Sequence, residues 1–279
     1  MLNLLGLIIA FIMIILSIRK RINFGLSLIL GSLILGVFSL QTIEIVDILK
    51  TFIEASIYSF EDHQIVTETI ELALLMTIIY ILAKCMQETG AIKKLIDGLR
   101  AFFPRGGILG VIPAVYGLMP APGGALFSAP MIDEEGEKYQ LNKNQKNFLN
   151  VWFRHIWFTI YPISSAMILI CSKSFSDINI YHLVLANTPA FITSVVVGVI
   201  YIKKFIKDVP KEQISKPKKE FKGLIYILPP IVPLFFYGIL QFFDITQIRS
   251  FLIGVIFSIF LLYFLANISF KNYLQIIKK

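Results

Sequence analysis

Three groups of residues in this chain could bind a ligand or move a proton. The first is the hexapeptide MPAPGG at 119–124. Pro120 and Pro122, on either side of Ala121, lack an amide donor and resist helix, while Gly123 and Gly124 allow dihedrals that other residues avoid. A helix starting after Gly124 would present free amides and the positive end of its dipole, which suits a carboxylate or a phosphate-like anion. Ser128, on the same arm, could add a hydroxyl donor. The second group is Arg154 and His155, inside the apolar run NVWFRHIWFTIYP. Arg154 could pair with an anion or anchor a neighbouring segment, and His155 could bind or carry a proton near neutral pH. The third is Tyr161 and Pro162, followed at once by Ser164 and Ser165. Proline frees the carbonyl about four residues back, and hydroxyls can re-satisfy or replace it. Each group also has a purely structural reading: close packing of small residues, an arginine snorkelling to headgroups, a histidine on a neighbouring carbonyl, an ordinary proline kink.

Other chemistries have less support. Ser128 and His155 could be imagined as an intramembrane nucleophile and base. The chain has no G-x-S-x-G elbow and no H-E-x-x-H helix, so an intramembrane serine hydrolase is a remote alternative and no enzyme is expected. Cys85 and Cys171 lack the spacing of a metal site or a disulfide framework, so neither a metal nor a cofactor is expected. Trp152 and Trp157 read as interfacial or packing aromatics. Glu68 and Glu71 stand at i, i+3 near a span end and read as interfacial groups.

The elements that must position these residues follow from composition. The 279 residues are 56% hydrophobic, with a mean hydropathy of +0.76, too apolar for a soluble domain. Runs of about 17–25 apolar residues recur between charged loops, enough to cross about 30 Å of hydrocarbon. The formal charge of +8 resides in short loops between these runs, which is a topology signal rather than a nucleic-acid surface. The run at 2–18 has its basic cluster after it and no small-residue cleavage site, so a retained span is expected.

Charge then orients the spans. Arg19, Lys20 and Arg21 place the first loop in the cytoplasm and the N-terminus outside. Amphipathic segments at 41–63 and 90–103 are expected to lie on the outer and cytoplasmic surfaces. Eight lysines in 203–222 make that loop cytoplasmic, and parity places residues 133–147 on the same side. Both ends of the stretch 106–131 therefore belong on the cytoplasmic side. Two crossings would need about 40 residues, and the stretch has 26, with four prolines and six glycines. A re-entrant hairpin with its turn near 119–124 follows, the alternative being one irregular span. The expected fold is all-α and polytopic: about seven spans, at 2–18, 24–40, 66–85, 148–170, 182–202, 223–240 and 251–267, plus one cytoplasmic-side hairpin. The C-terminus falls inside, in a multi-pass protein of the cell membrane.

GLMPAPGGALFSAPM followed by NVWFRHIWFTIYP resembles an uncharacterised family of integral membrane proteins (domain of unknown function 401), over about residues 1–270. By similarity that family is grouped with the ion transporter superfamily of gluconate- and citrate-type permeases. The resemblance implies a secondary transporter with two inverted repeats, each holding a re-entrant hairpin and a broken helix. Pro120 to Gly124 would be the first hairpin tip and Tyr161 to Ser165 the first break. Residues 1–202 would form the first repeat, 203–222 a cytoplasmic basic linker, and 223–279 part of a second, giving an incomplete inverted repeat. A weak internal likeness between Ser27-Leu-Ile-Leu-Gly31 and Ser250-Phe-Leu-Ile-Gly254 points the same way. The expected function is transport of a small organic anion coupled to protons or sodium. A non-transporting or truncated membrane subunit, completed by a complementary chain, is the alternative, and a homodimer is also open. The expected partners are the lipid bilayer, the anion and the coupling ion, with no nucleic acid.

Overall fold

In the computed structural model the described residues are 2–60, 63–100, 102–103, 105–118, 124–172, 176, 178–206 and 221–278, with the backbone alone described at 105, 124–127 and 165. They form thirteen α-helices and one pair of two-residue strands. Five helical stretches are long and apolar enough to cross a membrane: Leu2–Arg19, Thr67–Glu88, Ile180–Phe205, Phe221–Phe243 and Gln247–Ala266. The protein is an all-α, polytopic membrane protein. Two other runs expected to cross look different. Phe24–Ser39 is an apolar helix of 16 residues, and 148–170 is not one continuous helix.

The chain divides into two compact units, Met1–Ile70 and Glu71–Lys279. In the first, α1 (Leu2–Arg19) and α2 (Phe24–Ser39) form a hairpin. Their shared face is made of small residues: Gly6, Ala10 and Ser17 on α1, Ser27 and Gly31 on α2. A Cβ on Gly31 would stand 2.6 Å from Ile14 Cδ1, so the glycine leaves room for that side chain between the helices. The Asn23 side chain accepts from the Gly25 amide at 2.9 Å and starts α2. The amphipathic α3 (Ile45–Ser56) has no buried residue. It leads into the antiparallel pair β1 (Tyr58–Ser59) and β2 (Gln64–Ile65), with Tyr58 opposite Ile65.

The second unit holds most of α4 (Thr67–Glu88), then α5 (Ala91–Leu99), α6 (Ile108–Gly117), α7 (Gly124–Lys138), α8 (Lys143–His155), α9 (Ser165–Ile170), α10 (Ile180–Phe205), α11 (Leu228–Leu240), α12 (Gln247–Ala266) and α13 (Phe270–Lys278). Its core gathers Leu75 and Met86 of α4, Leu95 and Ile96 of α5, Ile112 of α6, Ile168 of α9, and Phe251, Val255 and Leu262 of α12. Helix α10 buries Ile180 and Gly198, leaving Leu185, Ile192 and Ile200 exposed, as lipid-facing residues are.

The first part of the apolar stripe of 90–103, expected to rest on the cytoplasmic membrane surface, is instead packed inside protein, while Phe102 and Phe103 at its end stay exposed. Ile92, Leu95 and Ile96 are buried, and α5 lies on the turn Phe221–Ile227. A Cβ on Gly223 would collide with the Lys94 carbonyl oxygen. An amphipathic stripe looks the same in sequence whether lipid or protein covers it. Residues 207–220, most of the expected basic linker, lie outside the described residues.

Candidate functional site

Helices α6, α7 and α8 pack on one another. Asn142 and Gln145 start α8 with a reciprocal capping box, the Gln145 amide donating to Asn142 Oδ1 at 3.0 Å and the Asn142 amide to Gln145 Oε1 at 3.0 Å. One end of the three-helix group gathers at the last turns of α10. There a Cβ on Gly106 would stand 3.2 Å from Ile202 Cγ2, and Gln145 Nε2 donates to the Phe205 carbonyl at 3.2 Å. Lys146 Nζ meets Asp133 Oδ1 at 3.0 Å, tying the later part of α7 to the same end. At the other end, a Cβ on Gly117 would stand 2.5 Å from the Arg154 carbonyl oxygen and 2.7 Å from Trp157 Cδ1. The ten residues of α6 rise about 15 Å, half the hydrocarbon thickness.

Pro120, Ala121, Pro122 and Gly123 lie outside the described residues, and Gly124 opens α7. Ser128 is fully buried and donates from Oγ to Asn150 Oδ1 at 2.5 Å. Arg154 is 4% exposed, and its Nη1 donates to the Tyr116 carbonyl at 3.3 Å. Asn150 and Arg154 are four residues apart on one face of α8, so Ser128, Asn150, Arg154 and the end of α6 come together. His155, one residue on, is turned away by about 100°. It is exposed, its Nδ1 lies 2.7 Å from the Val151 carbonyl of its own helix, and its ring meets Phe158 edge-on.

Helix α8 ends at His155, a tight turn spans Ile156–Thr159, and helix resumes at Ser165. Within this interruption Tyr161 is buried and donates from its hydroxyl to the Pro230 carbonyl at 2.8 Å, tying the interruption to α11. Pro162 is buried. Ser164 is 3% exposed, and its hydroxyl has no hydrogen-bond partner among the described residues. Ser165 begins α9, its side chain outside the described set. A hollow of about 10 Å³ adjoins the interruption, lined by apolar groups that include Met86, Leu118, Ile163 and Val255. It has room for roughly one water and no substrate.

Charged groups brace the far end of α7. Glu135 is buried and accepts at Oε2 from Arg100 Nη2 and from Lys138 Nζ, both at 2.9 Å. Burial pushes its carboxyl up, but the bonds from Arg100 and Lys138 outweigh burial and hold it below the ordinary carboxylate value. Elsewhere in this unit, Arg249 near the start of α12 donates from Nη2 to Glu71 Oε1 at 2.7 Å. Near the end of α12, the Leu265 carbonyl accepts from the Tyr226 hydroxyl at 2.9 Å, and Lys94 Nζ lies 5.4 Å over the Tyr226 ring.

Sequence reasoning missed Asn150, Gly117 and the Arg100–Glu135 pair. Asn150 had a usable signal, a polar residue one turn before Arg154 in an apolar run. Gly117 and Glu135 had none, because their partners, Arg154 and Arg100, are 37 and 35 positions away in sequence.

No curated protein and no solved structure matches this chain. The profile of one family, described as "Protein of unknown function (DUF401)", matches residues 2–278, nearly the whole chain, and the protein belongs to that family.

Proposed function

We propose that this protein is a secondary transporter of the cell membrane, a permease for a small organic anion coupled to protons or sodium. The observation that carries this reading is Arg154. It is a 4% exposed cation in an apolar run, hydrogen-bonded to the last turn of α6, where the Pro/Gly-rich tip begins. Ionisable groups at such depth are costly and mark ligand or ion pathways.

The geometry around α6 and α7 supports a re-entrant hairpin over 106–131. Gly106 meets the last turns of α10 and Asp133 meets Lys146 in the first turn of α8, beside Gln145 that reaches Phe205 of α10, while Gly117 reaches the far end of α8. Two further observations support seven spans with the N-terminus out and the C-terminus in. Glu71 and Arg249, at helix ends assigned to the outer side, meet each other. Lys94, Tyr226 and Leu265, all assigned to the cytoplasmic side, also meet. The repeat reading draws support from two hairpins. Ser27 and Gly31 are the buried residues of α2, which pairs with α1, and Ser250 and Gly254 are among those of α12, where a Cβ on Gly254 would stand 2.6 Å from Pro233 Cα of α11. On this reading the hairpin and the interrupted segment move together against the other spans.

Thermal unfolding of the purified protein with a panel of organic anions tests the function. A ligand at a hundred times its Kd adds about 2.7 kcal/mol of stability, a shift of several degrees. Arg154→Ala abolishes that shift. An anion that stabilises Arg154→Ala as well as the wild type removes Arg154 from the binding role.

A further inference from the structure

Two buried polar atoms in the interruption between α8 and α9 have no hydrogen-bond partner among the described residues: Trp157 Nε1 and Ser164 Oγ. Folded proteins leave few such groups, and each needs a reason. The same region satisfies comparable groups without difficulty. Trp152, five residues earlier, donates from Nε1 to the Ser194 carbonyl at 3.0 Å. The buried Ser128, Ser172 and Ser258 hydroxyls all have acceptors. Ser164 even occupies the N-cap position of α9 in extended backbone, yet its side chain makes no capping bond.

Both groups lie in one interruption of the chain, between α8 and α9. Trp157 Cδ1, the ring atom bonded to Nε1, and the Arg154 carbonyl oxygen both crowd the same face of Gly117. The N–H edge of the indole therefore lies at the end of α6, where the Arg154 guanidinium holds Tyr116. Ser164 is held to this turn by two backbone bonds, Tyr161 N to the Trp157 carbonyl at 2.7 Å and Ser164 N to the Tyr161 carbonyl at 3.0 Å. An indole N–H only donates, so whatever satisfies Trp157 must be an acceptor. A hydroxyl donates equally well. An unsatisfied indole N–H at the end of α6, where the buried Arg154 is held, and an unsatisfied hydroxyl farther along the same interruption are donors that match the oxygens of a carboxylate.

We propose that Trp157 and Ser164 are the neutral donors of the anion site whose charge is Arg154, each hydrogen-bonding an oxygen of a bound carboxylate. This rests on the anion reading above and adds the residues that would hold the carboxylate in place.

The chain has two tryptophans, so Trp152→Phe leaves Trp157 as the sole indole reporter. Sodium acetate, succinate and citrate are titrated into that protein while Trp157 emission and the melting temperature are followed. A carboxylate that raises the melting temperature also changes Trp157 emission, and Trp157→Phe weakens its affinity about 10-fold or more. Ser164→Ala raises the ligand-free melting temperature, because an unsatisfied hydroxyl has gone, yet weakens carboxylate affinity. A purely structural serine would give the first effect without the second, so this variant decides the matter even if Trp157→Phe does not fold. Carboxylate stabilisation with silent Trp157 emission and unchanged affinity in Ser164→Ala overturns the proposal and leaves the anion site standing. No stabilisation by any of the three in the wild type removes the anion reading and this proposal together.

Discussion

Glu135→Gln should destabilise the protein at neutral pH and do nothing at acid pH. The carboxylate is 4% exposed and receives two charged donors at 2.9 Å. A hydrogen bond involving a charged group contributes about 1.5–3 kcal/mol. The Lys138 side chain is half exposed, so its share is no more than about 1 kcal/mol. A glutamine would keep one neutral acceptor, and the net loss comes to about 2 kcal/mol, or a melting temperature lower by about 4–8 °C. The sign of the pH dependence follows from the depressed carboxyl. Its stabilisation is complete above the ordinary value of 4.5 and is lost as pH falls through the lower folded-state value. Differential scanning fluorimetry in detergent, run from pH 7 downward, should therefore show a gap between wild type and variant that is constant above the ordinary carboxylate value of 4.5 and shrinks as pH falls below it. Equal melting temperatures at pH 7, or a gap that widens on acidification, would refute the reasoning.

Gly117→Ala places a methyl group 2.5 Å from a backbone oxygen that no rotamer change can move. A loss of about 1–3 kcal/mol is expected, and an unchanged unfolding midpoint would show that α6 and α8 are not so close. A double-mutant cycle over Ser128→Ala and Asn150→Ala should give a coupling of about 1 kcal/mol, whereas strictly additive effects would deny the buried bond. In a background lacking Cys85 and Cys171, Arg105→Cys and Asp133→Cys should react with an impermeant thiol reagent from the same membrane face. Labelling from opposite faces would remove the re-entrant hairpin.

The class of this protein was legible from its residues because hydrocarbon imposes a length. Apolar runs near 20 residues between basic loops admit few other readings, and the helices at 2–19, 67–88, 180–205 and 247–266 lie where the hydropathy placed them. The interruption after His155 was also readable, since Pro162 cannot continue the backbone bonds of a helix. Local patterns of this kind need no knowledge of neighbours. The covering of α5 needed it, because the same stripe of Ile92, Leu95 and Ile96 serves lipid and protein equally. The division of labour between Arg154 and His155 needed it too. Adjacent in sequence and similar in promise, they differ because about 100° of helix rotation turns one into the packing of α6 and α7 and the other outward. Run length and hydropathy determined that long apolar helices dominate this chain. Only tertiary packing decided which polar groups were sealed beside Gly117, since burial depends on residues tens of positions away and no local pattern encodes them.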